Sequence, residues 1–372
     1  MDASKGGDFT AKSLLEGESH HFGINNKQSL VKSYGDFVFK RQLLISLLLL
    51  LVVVTFLLDI AHGPANLSLW QVFKGLVSPE SLSSVNYVII WDVRLPYALM
   101  AVLVGACLGL GGAEMQTVLN NPLASPFTLG IGSAATLGAS IAIVSNLSLW
   151  GLSFTFLLPL AAFISASLAS LLILLLSRVM GASTHNILLF GIALMFGLNA
   201  AVGLLQFVAD ASSLQQIVFW TMGSLARATM EKAGIVSIVL CVCFLGSMLH
   251  IWPLTTLRSG EEQARSLGIN VERLRLVVLL RVSLLTAVAL AFVGEIGFIG
   301  LVGPHIARML LGEDHRFFLP GSALAGALLL SLSSIASKSI LPGVILPVGI
   351  VTALVGIPWF MSLIFSRGRH AQ

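Results

Sequence analysis

From Leu43 almost to its C-terminus the chain is built of long apolar runs separated by short polar breaks. Six runs, Leu43–Ile60, Leu95–Ala113, Phe127–Val144, Leu152–Leu176, Asn186–Val208 and Ala233–Trp252, precede a dense polar stretch, and three more, Leu276–Val293, Phe317–Ala336 and Leu346–Phe365, follow it. A hydrocarbon core about 30 Å thick takes roughly 20 apolar residues per crossing, so runs of this length predict transmembrane helices. A membrane β-barrel would instead alternate apolar and polar positions over short strands.

The basic residues give these crossings a direction. Lys40 and Arg41 before the first run, the arginine-rich stretch in the middle and Arg367 and Arg369 after the last mark the cytoplasmic side. Six crossings return the chain to that side, but three more would not. A further crossing is therefore expected in Phe298–Leu311, "FIGLVGPHIARMLL", which is short and holds Pro304. Proline removes a backbone donor, so such a segment persists in a membrane only where protein encloses it. The reading is an all-α membrane protein with ten transmembrane helices in residues 41–367, a disordered cytoplasmic tail at 1–40, a cytoplasmic segment at 257–275 and a short tail end at 368–372. Both termini are expected in the cytoplasm.

Small residues point to close helix packing. Gly294, Gly297, Gly300 and Gly303 recur every third residue, and Gly105 and Gly109 form a small-xxx-small pair. Gly112 precedes Pro122, and Gly294 precedes Pro304, by the same spacing, each after a helix opening at a basic residue, Arg94 or Arg281. This echo is read as an inverted internal repeat, a feature of transporters.

Composition narrows the function classes. The 372 residues are 56% hydrophobic and 10% charged, against about a quarter charged in soluble domains. The net charge of +4 sits at the ends of apolar runs, where topology accounts for it without nucleic acid. Cys107, Cys241 and Cys243 lie inside apolar runs, and the C-V-C spacing fits neither a zinc pair nor a redox C-x-x-C; they are read as small buried hydrophobes. The chain has no G-x-x-x-x-G-K-[ST] phosphate loop and no nucleophile beside a base. Nucleotide energy would have to come from a partner.

The polar stretch itself, "RSGEEQARSLGINVERLR" from Arg258 to Arg275, reads as a structured elbow. Ser259 and Glu262 have capping-box spacing, Gly268 is a helix stop, and Asn270 caps the helix that follows. Ala264 and Leu267 share a face suited to a groove in another protein. Glu114 and Glu295 stand in apolar surroundings, where an ionisable group is a functional candidate. Gln116 or a partner subunit is a candidate mate of Glu114, and His305 or Arg308 one of Glu295; solvation near the headgroups is the alternative for both and the preferred reading for Glu295. An ion-coupled carrier would use such carboxylates as its coupling site, and that reading stands beside an ATP-driven one.

The stretches "RLPYALMAVLVGACLGLGGAEMQTVLNNPLASPFTLGIGSAA", "WTMGSL", "GEEQARSLGINVERLR", "IGFIGLVGPHIARMLLGEDHRFFLP" and "LPVGIVTALVGIPWF" together resemble the permease subunits of bacterial ABC importers for ferric siderophores, haem and cobalamin, the FecCD type. The resemblance runs from Arg94 to Phe360 in the family's order. It implies the cobalamin-permease-like fold of type II importers in the bacterial inner membrane. It further implies a second permease subunit, identical or paralogous, paired with the first over two cytoplasmic ATPase subunits that carry the ATP and Mg, and a periplasmic binding protein that delivers an iron chelate, ferric siderophore first, with haem and cobalamin as the alternatives. No cofactor or metal is expected on this chain, and no enzymatic role. The resemblance implies ATPase coupling through Ser259, Gly260, Glu261, Glu262, Ala264, Arg265, Leu267 and Gly268. It implies docking of the binding protein on Arg94 and Lys338, which alternatively anchor helix ends at the headgroups. It implies a pathway along the fifth and last helices, with Thr128 and Ser133 near its inner end; Met195, Phe196, Asn199 and Gln206, at roughly helical spacing on the fifth helix, are candidates to line it, with ordinary helix packing the commoner explanation for Met195 and Phe196. Tyr97 and Ile345 depart from the family, which carries Arg and Glu there in some and many members respectively.

Overall fold

The computed structural model describes residues 10–63, 67–145, 154–179, 184–341 and 343–369, divided between a small unit, residues 1–46, and a large one, residues 47–372. Helix α1 (Thr10–Ala61) begins far ahead of the apolar run at Leu43. Residues 10–40, expected as a disordered tail, are therefore helical; extending an existing helix gains one hydrogen bond per residue fixed and avoids the cost of nucleation. Within the small unit Tyr34 stacks on Phe37 at 6.4 Å, and the Arg41 guanidinium lies 3.6 Å from the Phe37 ring.

In the large unit α2 (Leu69–Val77) and α3 (Ser84–Tyr87) are short, and the sequence pattern did not announce them. Ser68 and Gln71 close a reciprocal cap at the start of α2, with Ser68 N–H donating to Gln71 Oε1 over 2.9 Å. A π-helical stretch, Val88–Arg94, leads into α4 (Leu95–Val118). Pro96 explains the widened turn: it has no N–H for the Asp92 carbonyl and its ring crowds that carbonyl.

The remaining elements are α5 (Ile131–Val144), α6 (Phe154–Val179), α7 (Thr184–Val208), α8 (Ala211–Thr221), α9 (Met230–Leu249), α10 (Ile251–Leu257), α11 (Glu261–Ser266), α12 (Val271–Val293), α13 (Ile299–Leu311), α14 (His315–Ser339) and α15 (Val348–Arg369). Among the described residues no strand occurs. Among the described residues seven helices are long and apolar enough to cross a membrane, and three shorter apolar helices, Ile131–Val144, Ile299–Leu311 and Val348–Pro358, accompany them. Together these match the ten expected crossings. The short segment with Pro304 is the predicted enclosed helix: Ile299, Gly300, Val302, Gly303, Pro304, Ala307 and Leu311 of α13 are all buried.

Helix α4 is the axis of the large unit, buried along nearly its whole length. Its glycines make that possible. A Cβ on Gly105 would strike the Gly326 carbonyl, one on Gly109 the Ser322 carbonyl, and one on Gly112 the Gly300 carbonyl. Backbone thus meets backbone where α4 crosses α14 and α13, and dispersion attraction accumulates along the seam. The Gly300 carbonyl is the one that Pro304, four residues on, cannot donate to; it lies instead against the Gly112 Cα, a weak C–H···O arrangement. Helix α15 is seated in the same manner, with Gly349 under the Met222 and Glu295 carbonyls and Gly356 against Phe298.

The proposed echo of Gly112–Pro122 and Gly294–Pro304 does not join equivalent positions. Gly112 lies inside α4 and Pro122 in the following turn, whereas Gly294 ends α12 with φ 80° and Pro304 lies inside α13. Arg281 also falls in the middle of α12 and does not open a helix.

What Arg281 does is pair with Glu114. The carboxylate is fully buried, and Arg281 Nε donates to Glu114 Oε1 and Oε2 at 3.0 and 2.9 Å while Nη2 also reaches Oε1. This replaces both expected mates of Glu114. A desolvated pair of this kind costs little net as long as both partners stay, and much when one is removed.

Two outcomes are expected. Gly112→Val drives a branched side chain into the Gly300 carbonyl and should abolish the folded, monodisperse peak in detergent size-exclusion chromatography; an unchanged peak and melting midpoint contradict the seam. Glu114→Gln leaves Arg281 uncompensated and should cost about 3–5 kcal/mol, whereas Glu114→Leu combined with Arg281→Met should melt higher than either single variant.

Candidate functional site

The polar stretch folds as an elbow of α10, α11 and the first turns of α12. Gly260, at φ 126°, opens α11 with no side-chain cap, so the Ser259–Glu262 capping box is not formed. The stop at Gly268 is formed. Its N–H donates to the Arg265 carbonyl at 3.0 Å and the Ile269 N–H to the Ala264 carbonyl at 3.0 Å, the paired bonds of a Schellman turn, with Gly268 at φ 82°. Asn270 caps α12 as its position predicts, Oδ1 accepting from Arg273 N–H over 2.9 Å.

One surface of this elbow is open. Ser259, Glu261, Glu262, Arg265, Leu267 and Gly268 are exposed and Gly260 is half-buried. Ala264, expected as a partner contact, is 0% exposed and belongs to the chain's own core, while Leu267 is 54% exposed. The shared face inferred for the pair is thus split, because Ala264 is spent on closing the elbow against Ile269 and α12. Glu261 and Arg265 are also held, by Arg275 at 2.5 Å and Glu272 at 3.6 Å.

The elbow is tied to the helices behind it. Arg258 Nη1 donates to Asn120 Oδ1 at 2.9 Å, beyond the end of α4, and Nη2 pairs with Glu313 at 2.5 Å, between α13 and α14. That guanidinium holds the Glu313 carboxyl below the ordinary carboxylate range. His315, at the start of α14, bridges Thr117 of α4 at 2.9 Å and Thr255 of α10 at 3.2 Å. Gln116 accepts from Arg308 Nη2 at 3.0 Å and donates to the Leu301 carbonyl at 3.4 Å. Three helices, α4, α13 and α14, therefore meet behind the elbow at the last turn of α4.

Arg94 and Lys338 lie at the opposite end of α4 and α14, and neither is a free surface cation. Arg94 is 5% exposed, and its Nη1 donates to the Ile60 and Ala61 carbonyls at 2.9 and 2.8 Å. It thereby satisfies carbonyls that the end of α1 leaves unpaired. The Lys338 side chain is 4% exposed and its Nζ lies 2.9 Å from Asp59 Oδ1; it also donates to the Asp59 carbonyl at 3.0 Å. Ser334 donates to both Asp59 oxygens, at 2.8 and 2.7 Å, and the Tyr97 ring lies 4.2 Å from Nζ. Within the chain both cations, expected as docking residues, clamp the end of α1. Asp59, an acid at the edge of an apolar run, was the available sign.

The interior residues divide. Ser133 is buried in helix packing, the Thr128 hydroxyl donates to the Ser125 carbonyl at 2.8 Å, and Met195 is half-buried, its backbone against Gly130. Phe196 and Asn199 are exposed on α7, and Gln206 is half-buried. Glu295 stands in the turn between α12 and α13 and accepts from Thr136 Oγ1 at 3.2 Å, so its mate is neither His305 nor Arg308. Cys107 and Cys243 are buried as expected, but Cys241 is exposed. A cavity of about 700 Å³ lies among α5, α6, α8, α12 and the segment entering α15; none of the six expected lining residues borders it.

Comparison with known proteins gives this arrangement a family. The hemin transport system permease protein HmuU of Yersinia pestis is 38% identical over 327 residues, 88% of this chain and 96% of its own. The vitamin B12 import system permease protein BtuC of Vibrio vulnificus is 37% identical over 81% of this chain and 90% of its own. A solved metal-chelate type ABC transporter in an inward-facing conformation superposes with a TM-score of 0.75 at 31% identity, over 87% of this chain and 99% of that one. PsaBC from Streptococcus pneumoniae shares the fold, with a TM-score of 0.53 and 17% identity. The model of the FecCD transport family matches residues 50–366, and the chain belongs to that family.

Proposed function

We propose that the chain is the membrane permease of an ATP-driven importer that carries an iron chelate, ferric siderophore first, from periplasm to cytoplasm. Relatives named for hemin, iron chelatin, Fe(3+)-citrate and vitamin B12 transport support the class of cargo. The observation that carries the mechanism is the elbow. It is a capped, exposed element with one apolar side chain, Leu267, facing outward, and Arg258 fastens it to the ends of α4, α13 and α14.

In this reading the elbow faces the cytoplasm and seats on an ATPase subunit. Nucleotide-driven movement of that subunit shifts the elbow, and the Arg258 and His315 contacts pass the shift to the helices, moving the permease between outward and inward states. Both termini lie in the cytoplasm, and a second permease subunit closes the pathway along α7 and α15, where Phe196 and Asn199 are exposed. The chain contributes no catalytic group; ATP and Mg are held by the ATPases. With Arg94 and Lys338 engaged internally, the binding protein would rest on other groups of the outer end.

An ion-coupled carrier is the rival reading, carried by Glu295. Proteoliposomes separate the two. Uptake of a ferric siderophore should require the ATPase subunits, the binding protein and ATP; uptake by the chain alone under a proton or sodium gradient would overturn the importer. Gly268→Pro removes the N–H bonded to Arg265 and cannot adopt φ 82°. It is expected to leave ATP hydrolysis running while uptake falls to the level seen without ATP. Leu267→Glu should weaken capture of the ATPase subunits without lowering the melting midpoint of the isolated permease.

A further inference from the structure

The cavity of about 700 Å³ has the size of a pocket for a small organic ligand, and its charge is one-sided. Gln215, Gln216, Phe219, Arg227, Lys232 and Ile345 border it, and among the described residues none that lines it is acidic. Within the same residues neither cation is in a salt bridge, whereas Arg258, Arg275, Arg281, Arg316 and Lys338 each have a carboxylate oxygen within 2.9 Å. Lys232 Nζ donates to the Arg227 backbone carbonyl at 2.7 Å, and both residues border the cavity. Glu231 does not border the cavity.

Burial pushes the Arg227 guanidinium below its ordinary arginine value through desolvation. An anion entering here would gain attraction from two cations and relieve part of that desolvation. A guanidinium is a planar fork that fits two oxygens of one carboxylate or catecholate, and an ammonium is a compact donor to a third. The amides of Gln215 and Gln216 supply further donors. Phe219, 54% exposed, offers a ring face to the apolar part of a ligand.

We propose that this cavity is a reception site for an iron chelate that carries net negative charge through carboxylate or catecholate oxygens. The proposal rests on the importer reading and narrows its cargo: anionic chelates are held by Arg227 and Lys232, and neutral hydroxamate chelates are not. Holding is weak by design of the transport cycle, since a bound cargo has to leave.

The test uses the full chain in nanodiscs of zwitterionic lipid, with radioiron-labelled ferric citrate as the anionic probe and a neutral ferric trihydroxamate as comparator in equilibrium dialysis. Ferric citrate should be retained and the trihydroxamate should not. Arg227→Gln should weaken ferric citrate by about tenfold, the value of one charge-assisted hydrogen bond. Ile345→Glu, which sets a carboxylate in the wall, should weaken it similarly, while Arg227→Lys keeps most of the binding. Equal retention of both chelates, or ferric citrate binding unchanged in Arg227→Gln and Ile345→Glu that elute as folded protein, overturns the proposal. ATP-dependent uptake by the assembled importer is read in parallel. Uptake that is ATP-driven but indifferent to both variants removes the site and keeps the importer; loss of any ATP requirement removes the importer, with the dialysis still reporting on the cavity.

Discussion

The large unit depends on backbone touching backbone along one helix. Between helices in lipid the hydrophobic effect offers little, since lipid tails are as apolar as leucine, and close packing has to supply the association. Gly105, Gly109 and Gly112 place the carbonyls of Gly326, Ser322 and Gly300 against the main chain of α4. The consequence is that α4 tolerates no side chain on that stripe and that α13 can be short. A helix interrupted by proline is enclosed because α4 and α14 occupy the space that lipid would otherwise fill.

Polar residues then fix what packing alone leaves free to slide. At one end of α4 the carbonyls of Ile60 and Ala61 hold Arg94, and Asp59 holds Lys338 of α14. Toward the other end Glu114, Gln116 and Thr117 reach Arg281 of α12, Arg308 of α13 and His315 of α14 in turn. Glycines allow the helices to approach, and these pairs set their rotation and height. A slip by one residue would leave several buried charges without partners, at a cost far above that of lost van der Waals attraction. This is how an apolar bundle keeps a single register.

The local features were legible in the sequence and the distant ones were not. Gly268 and Asn270 mark the elbow's turn because each acts on backbone within a few residues, and long apolar runs identified the ten apolar helices. Ser259 misled, since Gly260 at φ 126° turns the chain before the hydroxyl can cap. The mates of Arg94, Glu114 and Lys338 lie 34, 167 and 279 residues away. A charge in an apolar run announces that it has a partner but not whether the partner is in its own chain. The cavity was invisible for the same reason: its cations come from beyond α8 and the start of α9, and only folding brings them to the same cavity as Ile345. Short elements such as α2 and α8 escaped because their polarity mixes within two or three turns.

Phe298 sets the terms on which the last helix moves. It is one of two described non-glycine residues at positive φ, 67°, a conformation that side chains avoid, and its ring sits in the notch at Gly356 while Gly349 fits beneath the Glu295 carbonyl. The two notches are seven residues apart, hence on one side of α15. They work as a key in a slot: α15 has one permitted angular setting against the α12–α13 bend, and twisting it by a single position would thrust a side chain into either notch. Helix and bend must travel as one rigid piece, so any opening of the bundle near α15 has to hinge elsewhere.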